Sequence, residues 1–124
     1  GEPIPADLVA KIKKAATFNE GFKTTEYMAS AIMDLLYHTT DPALIDPQSF
    51  EKEQLTALGM PEEVVMRHRS TQFGHVFSSE GYASGYYGYM WSEVLTSDAA
   101  EAFVEAPGGF YDKDVSKKLV DHLF

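Results

Sequence analysis

The side chains that could do chemistry crowd into one stretch of this chain. Residues 80–91, EGYASGYYGYMW, hold four tyrosines and three glycines in twelve positions, and His75 lies just upstream in QFGHVFSSEGY. Phenols donate hydrogen bonds and stay neutral near pH 7, so a row of them makes a hydrogen-bonding surface without charge. Treated as a helix, residues 81–93 sort into three stripes. Tyr82, Tyr86, Tyr89 and Glu93 share one, at steps of four, three and four. Gly81, Gly85, Gly88 and Ser92 form the next, and Tyr87, Met90, Trp91 and Val94 make an apolar third. Glycine inside a helix costs roughly 1 kcal/mol relative to alanine, so Gly85 and Gly88 need a compensating reason. A glycine stripe supplies one, because it lets another backbone approach closely. Core packing is the competing explanation, above all for Tyr87 and Trp91. Three phenols beside a glycine groove favour a face that meets a ligand.

The elements that must position this stretch read as helices. IPADLVAKIKKAATFN puts Leu8, Ile12 and Ala15 on one face behind Pro5, which suits a first helical turn. TTEYMASAIMDLLYHT has a broad apolar face and reads as a largely buried helix. Asp46 followed by Pro47 is an N-cap with proline at the first helical position, and that helix should stop at Gly59. Pro61 should open a short helical piece, PEEVVMRH, and residues 69–81 should be a loop. A long helix is expected from Tyr82 to Ala106, with a second cap near Ser97–Asp98, before PGG ends it. Asp112 should cap a last helix carrying Val115, Leu119 and Leu123. No segment alternates with period two for long enough to be a strand. The expected class is all-α with five or six helices.

Composition narrows the function. The 124 residues are enough for one small domain with a core. A net charge of −9, from 19 acidic against 10 basic residues, argues against a nucleic-acid or anionic-membrane surface. Cysteine is absent, which removes disulfides and thiolate metal sites. No apolar run approaches the roughly 20 residues of a membrane span. The four histidines form no His-x-x-x-His pair. His38 ends a helix, where it suits the dipole. His68 and His122 read as solvated, and His75 reads as a substrate hydrogen-bonding group.

The segment FGHVFSSEGYASGYYGYMWSEVL resembles the C-terminal substrate-binding segment of the M3 family of zinc metallopeptidases, which includes oligopeptidases and peptidyl-dipeptidases. FNEGFKTTEYMASAIMDLLYH and LGMPEEVVMRHR resemble the peptidyl-dipeptidase branch, and the similar segments cover most of residues 8–124. The resemblance implies a larger helical catalytic domain that binds zinc and hydrolyses short peptides. It gives catalytic roles to Tyr89, Tyr82 and His75, and substrate-binding roles to Tyr86, Gly81 and Gly85, with Ser78 to Gly81 as a closing loop. The family's His-Glu-x-x-His motif does not occur in these residues. Residues 1–124 are therefore expected to be a C-terminal piece of the catalytic domain, inactive alone, with no metal ligand of its own. Short peptides are the expected partner, and an excised piece is expected to self-associate through uncovered apolar faces. A cytoplasmic site, with the periplasm as the alternative, goes with that reading. A non-catalytic helical binding module remains the competing function.

Overall fold

The structure, a computed structural model, describes residues 2–124. The chain divides into two compact units, the first ending at Tyr86 and the second spanning Tyr87–Phe124. Among the described residues the regular structure is helical throughout, with no strand. The first unit holds α1 (Ala6–Ala16), α2 (Glu20–Thr39), α3 (Pro47–Ala57) and the single-turn α4 (Gly74–Phe77). The second holds α5 (Gly88–Glu105) and α6 (Lys113–Leu123).

The core of the first unit is built around α2, which buries two faces. Ala29, Met33 and Tyr37, spaced by four, pack with Phe50 of α3 and with Met66. Leu36, Ile45, Leu55 and Met60 close the margin of that cluster. On the other side, Ala31 packs with Phe73, Val76 and Tyr86, with Tyr27 beside them. Met33 and Phe73 are almost completely buried. The broad apolar face of the α2 sequence is thus two faces, each with its own partner. α1 buries no residue, and Leu8 and Ile12 of its apolar face stay exposed.

Start and stop signals act as their chemistry dictates. Asp46 accepts the Ser49 amide at 3.0 Å, with Pro47 in the first turn of α3. The chain leaves α3 through Gly59 at φ +72°, a conformation glycine adopts without a Cβ clash. In the second unit the Asp112 carboxylate accepts the Asp114 and Val115 amides at 3.0 and 3.1 Å, capping α6. Its other oxygen accepts the Gly108 amide at 3.2 Å. A Cβ on Gly108 would lie 2.9 Å from Asp112 Cα, so only glycine fits this corner. The Val115 and Gly108 amides hold the Asp112 carboxyl below the ordinary carboxylate range. Phe103 and Phe110 stack across the same corner at 5.9 Å.

Three expectations give way to tertiary contacts. Residues 61–68 are not helical. The Arg67 amide donates to the Glu26 carbonyl at 3.1 Å and the His68 amide to Ser30 Oγ at 3.3 Å, so this segment lies along α2 with Met66 buried. Residues 69–81 are not an open loop, for they contain a 3₁₀ turn at Ser70–Gln72, α4, and another 3₁₀ turn beginning at Glu80. The long helix begins at Gly88, not Tyr82, and runs unbroken past Ser97–Asp98.

A buried acid ties α3 to the Ser70 turn. Glu51, 6 % exposed, accepts the Ser70 amide at 2.8 Å, the Ser70 hydroxyl at 2.6 Å and Arg69 Nε at 2.6 Å. The Tyr37 hydroxyl reaches Ser70 Oγ at 2.6 Å. Burial alone would raise the Glu51 carboxyl, but the Ser70 and Arg69 donors prevail and leave it below its ordinary 4.5. A depressed native value means stability that is present above the unfolded value and lost as pH falls through the native one. Acid denaturation should therefore show stability falling below about pH 4.5, and Glu51→Gln should flatten that limb while lowering stability at pH 7. An unchanged acid limb in Glu51→Gln would show that other groups carry it.

Candidate functional site

The tyrosine stretch is set by α2 from below. Tyr27, Ala31 and Asp34 follow one another at steps of four and three on one side of that helix. Asp34 has no exposed surface. Its Oδ1 accepts the Ser84 amide at 3.1 Å, and its Oδ2 accepts the Tyr86 amide at 2.9 Å. His38 Nδ1 lies 2.9 Å from Oδ1 and 2.8 Å from the Asp34 carbonyl oxygen. The Tyr27 hydroxyl donates to the Tyr86 carbonyl at 2.7 Å. Among the described residues, no buried side-chain nitrogen or oxygen lacks a hydrogen-bond partner.

These bonds explain why residues 83–87 are not helical. The amides of Ser84 and Tyr86 point at α2, and Ser84 sits at φ +58°, which interrupts a right-handed helix. The Gly85 amide closes a tight turn on the Tyr82 carbonyl at 2.9 Å. The single helical stripe of Tyr82, Tyr86 and Tyr89 expected from spacing is therefore not formed. Gly81 and Gly85 also precede the helix, so no glycine groove runs beside those tyrosines. A Cβ at Gly85 would make only ordinary contact, 3.4 Å from the Tyr82 carbonyl oxygen.

What forms instead is a pair of exposed rings above a buried one. His75, on α4, and Tyr82 lie with ring centroids 4.2 Å apart, and both are exposed. Beneath them Tyr86 is 5 % exposed. Its ring meets Phe73 edge-on at 4.9 Å, Tyr27 at 5.3 Å and His75 at 5.7 Å. Burial pushes the Tyr86 phenol above its ordinary value, partly offset by Arg67. The expected substrate-facing Tyr86 is thus a core side chain, because its backbone is drawn onto α2. Tyr89 belongs to the second unit, in the first turn of α5, and is 43 % exposed. Tyr87 and Trp91, the pair most open to a packing role, are exposed.

The histidines divide as their neighbours require. His68 is partly buried against Phe73 at 5.0 Å, not solvated, because the 61–68 segment lies on α2. His122 is exposed. Among the described residues no group of three or more His, Cys, Asp or Glu side chains could hold a metal ion. These residues do not fit a zinc site of their own. None of the described helices is long and apolar enough to cross a membrane. Sequence reasoning passed over Asp34 and Tyr27. The available signal was an acid inside AIMDLL, where an apolar helical face has no use for a charge.

A profile of peptidase family M3 matches residues 1–116. The chain belongs to that family. Among M3 relatives, it is 38 % identical over 112 residues to dipeptidyl carboxypeptidase of Salmonella typhimurium, covering 87 % of this chain and 16 % of the relative. The Escherichia coli dipeptidyl carboxypeptidase is 35 % identical over 111 residues, with the same coverage. Oligopeptidase A of Haemophilus influenzae is 30 % identical over 128 residues, covering 99 % of this chain and 18 % of the relative. The chain thus spans about a sixth of the length of these M3 peptidases. No solved structure matches it.

The Tyr27 hydroxyl ties α2 to the backbone of the tyrosine turn through the Tyr86 carbonyl. Tyr27→Phe removes that bond and should lower stability by about 1 kcal/mol in urea denaturation, the usual net value of such a bond. Amide exchange should quicken around residues 84–87 and stay unchanged in α3. A uniform rise in exchange across the first unit would show a global loss instead.

Proposed function

We propose that this chain is the substrate-binding part of the catalytic domain of a metallopeptidase that cleaves short peptides, of the dipeptidyl carboxypeptidase kind. The observation that carries the proposal is the exposed His75–Tyr82 pair, held 4.2 Å apart on a fixed turn in a chain of family M3. A peptide carbonyl gains negative charge as it is attacked, and a positioned neutral donor stabilises that charge. Tyr89 is the donor in this reading. His75 and Tyr82 hydrogen-bond the peptide and support that step, while Gly81 and Gly85 belong to the turn that presents Tyr82 to it. Tyr86, buried as it is, serves by holding the turn. The metal that the resemblance implies is held by residues outside this chain, and residues 1–124 alone do not hydrolyse peptides. Exposed Trp91, Val94 and Leu95 support self-association of the isolated chain.

Identity favours the dipeptidyl carboxypeptidase kind over the oligopeptidase A kind, at 38 % and 35 % against 30 %. Products separate the two. The first releases dipeptides from a free C-terminus and fails on a C-terminally amidated peptide, whereas the second cleaves the amidated peptide internally.

Replacing Tyr89 with Phe in the full-length peptidase removes one hydroxyl. If that hydroxyl acts mainly in the transition state, kcat should fall by roughly 10²-fold or more while KM changes much less. Tyr87→Phe is the matched control. Equal, small effects of both substitutions would remove Tyr89 from the chemistry.

A further inference from the structure

We propose that Asp34 is a positioning residue for peptide hydrolysis, the group through which α2 sets the His75–Tyr82 pair. This rests on the function proposed above for that pair. Asp34 is fully buried, and two of its bonds go to the backbone amides of Ser84 and Tyr86, two and four residues beyond Tyr82. Between them Gly85 closes on the Tyr82 carbonyl, so fixing both amides fixes the direction in which Tyr82 leaves the turn. Ser84 at φ +58° is a conformation that non-glycine residues avoid, and a bond from its amide to a buried carboxylate is what holds it there.

The same residue reaches the other half of the pair. His38, against Asp34 Oδ1, stacks on Phe77 with centroids 5.5 Å apart. Phe77 ends α4, the helix that carries His75, and Val76 beside it is buried in the Tyr86 cluster. Asp34 therefore governs the Tyr82 side through two amides and the His75 side through His38 and Phe77. It acts through the backbone and side chains it fixes. An asparagine of the same shape cannot replace it, because one of its two terminal atoms is an NH₂ group. That group would face an amide N–H that now has an acceptor.

The test is Asp34→Asn in the full-length peptidase, with Glu51→Gln as a control in the buried acid that binds the Ser70 turn. In Asp34→Asn the Ser84 and Tyr86 amides should exchange at least about tenfold faster while Phe50 is unchanged, since only the local restraint is lost. At a temperature where the protein is folded, kcat should fall about tenfold or more with KM within about threefold, the pattern of a misplaced reacting group. Glu51→Gln should lower the melting temperature and leave exchange at the Ser84 and Tyr86 amides unchanged, since those amides are held by Asp34. In the double variant Asp34→Asn/Tyr82→Phe, the kcat losses should fall short of multiplying, because part of the Asp34 effect passes through the Tyr82 ring. Unchanged exchange at Ser84 and Tyr86, or multiplying losses, overturns the proposal. If Tyr82→Phe alone has no effect, the catalytic reading of Tyr82 fails, and the exchange result still decides the claim on Asp34. If Asp34→Asn does not fold, the unaltered protein decides. Ser84 and Tyr86 amides as protected as those of α2 support the proposal, and exchange as fast as in an unstructured peptide overturns it.

Discussion

A carboxyl group with no exposed surface is costly to place, by several kcal/mol, unless donors meet its oxygens. Asp34 is met by two backbone amides and one imidazole. Satisfying it requires that the chain return to α2 at Ser84 and Tyr86, some fifty residues later. That return dictates the conformation of residues 82–86. It ends any helix before Gly88, turns Tyr86 inward against Phe73 and Val76, and leaves Tyr82 outward beside His75. The packing of the 73–86 segment and the exposure of its two polar rings are consequences of the same carboxylate.

Glu51 does for the other face of α2 what Asp34 does for this one. It gathers the Ser70 turn onto α3, next to Tyr37, and so closes the cluster around Met33. The first unit thus has two apolar clusters, each pinned by one buried acid to an irregular segment. Irregular backbone has no ladder of its own to satisfy its amides, so side-chain acceptors must do it. The second unit uses the same chemistry at smaller scale, where Asp112 binds both the start of α6 and the Gly108 corner.

Much of this was legible in the residues. Asp46–Pro47, Gly59 and Asp112 announced helix ends by local chemistry, and each acts locally in the structure. The family could be recognised from the segment FGHVFSSEGYASGYYGYMWSEVL, whose histidine and tyrosines carry the resemblance. What could not be read was the conformation of 82–87. Helical spacing assigns faces on the assumption that backbone amides bond within the helix, and here they bond to α2. The same applies to PEEVVMRH, where amides at Arg67 and His68 go to Glu26 and Ser30. Both errors arise from contacts distant in sequence, and both were foreshadowed by polar residues, Asp34 and Ser30, on a face otherwise built to be dry.

Two tyrosines that spacing placed on one face are thereby separated: Tyr82 is exposed and Tyr86 is buried in the core. A structure of the full-length peptidase with a bound phosphinic peptide, a mimic of the attacked carbonyl, tests this most directly. The expected result is the Tyr82 hydroxyl or the His75 ring at hydrogen-bonding distance, about 3 Å, from the bound peptide, with Tyr86 still buried and its amide still on Asp34. A Tyr86 ring swung out to meet the peptide, its amide free of Asp34 and Tyr82 turned away, would contradict it.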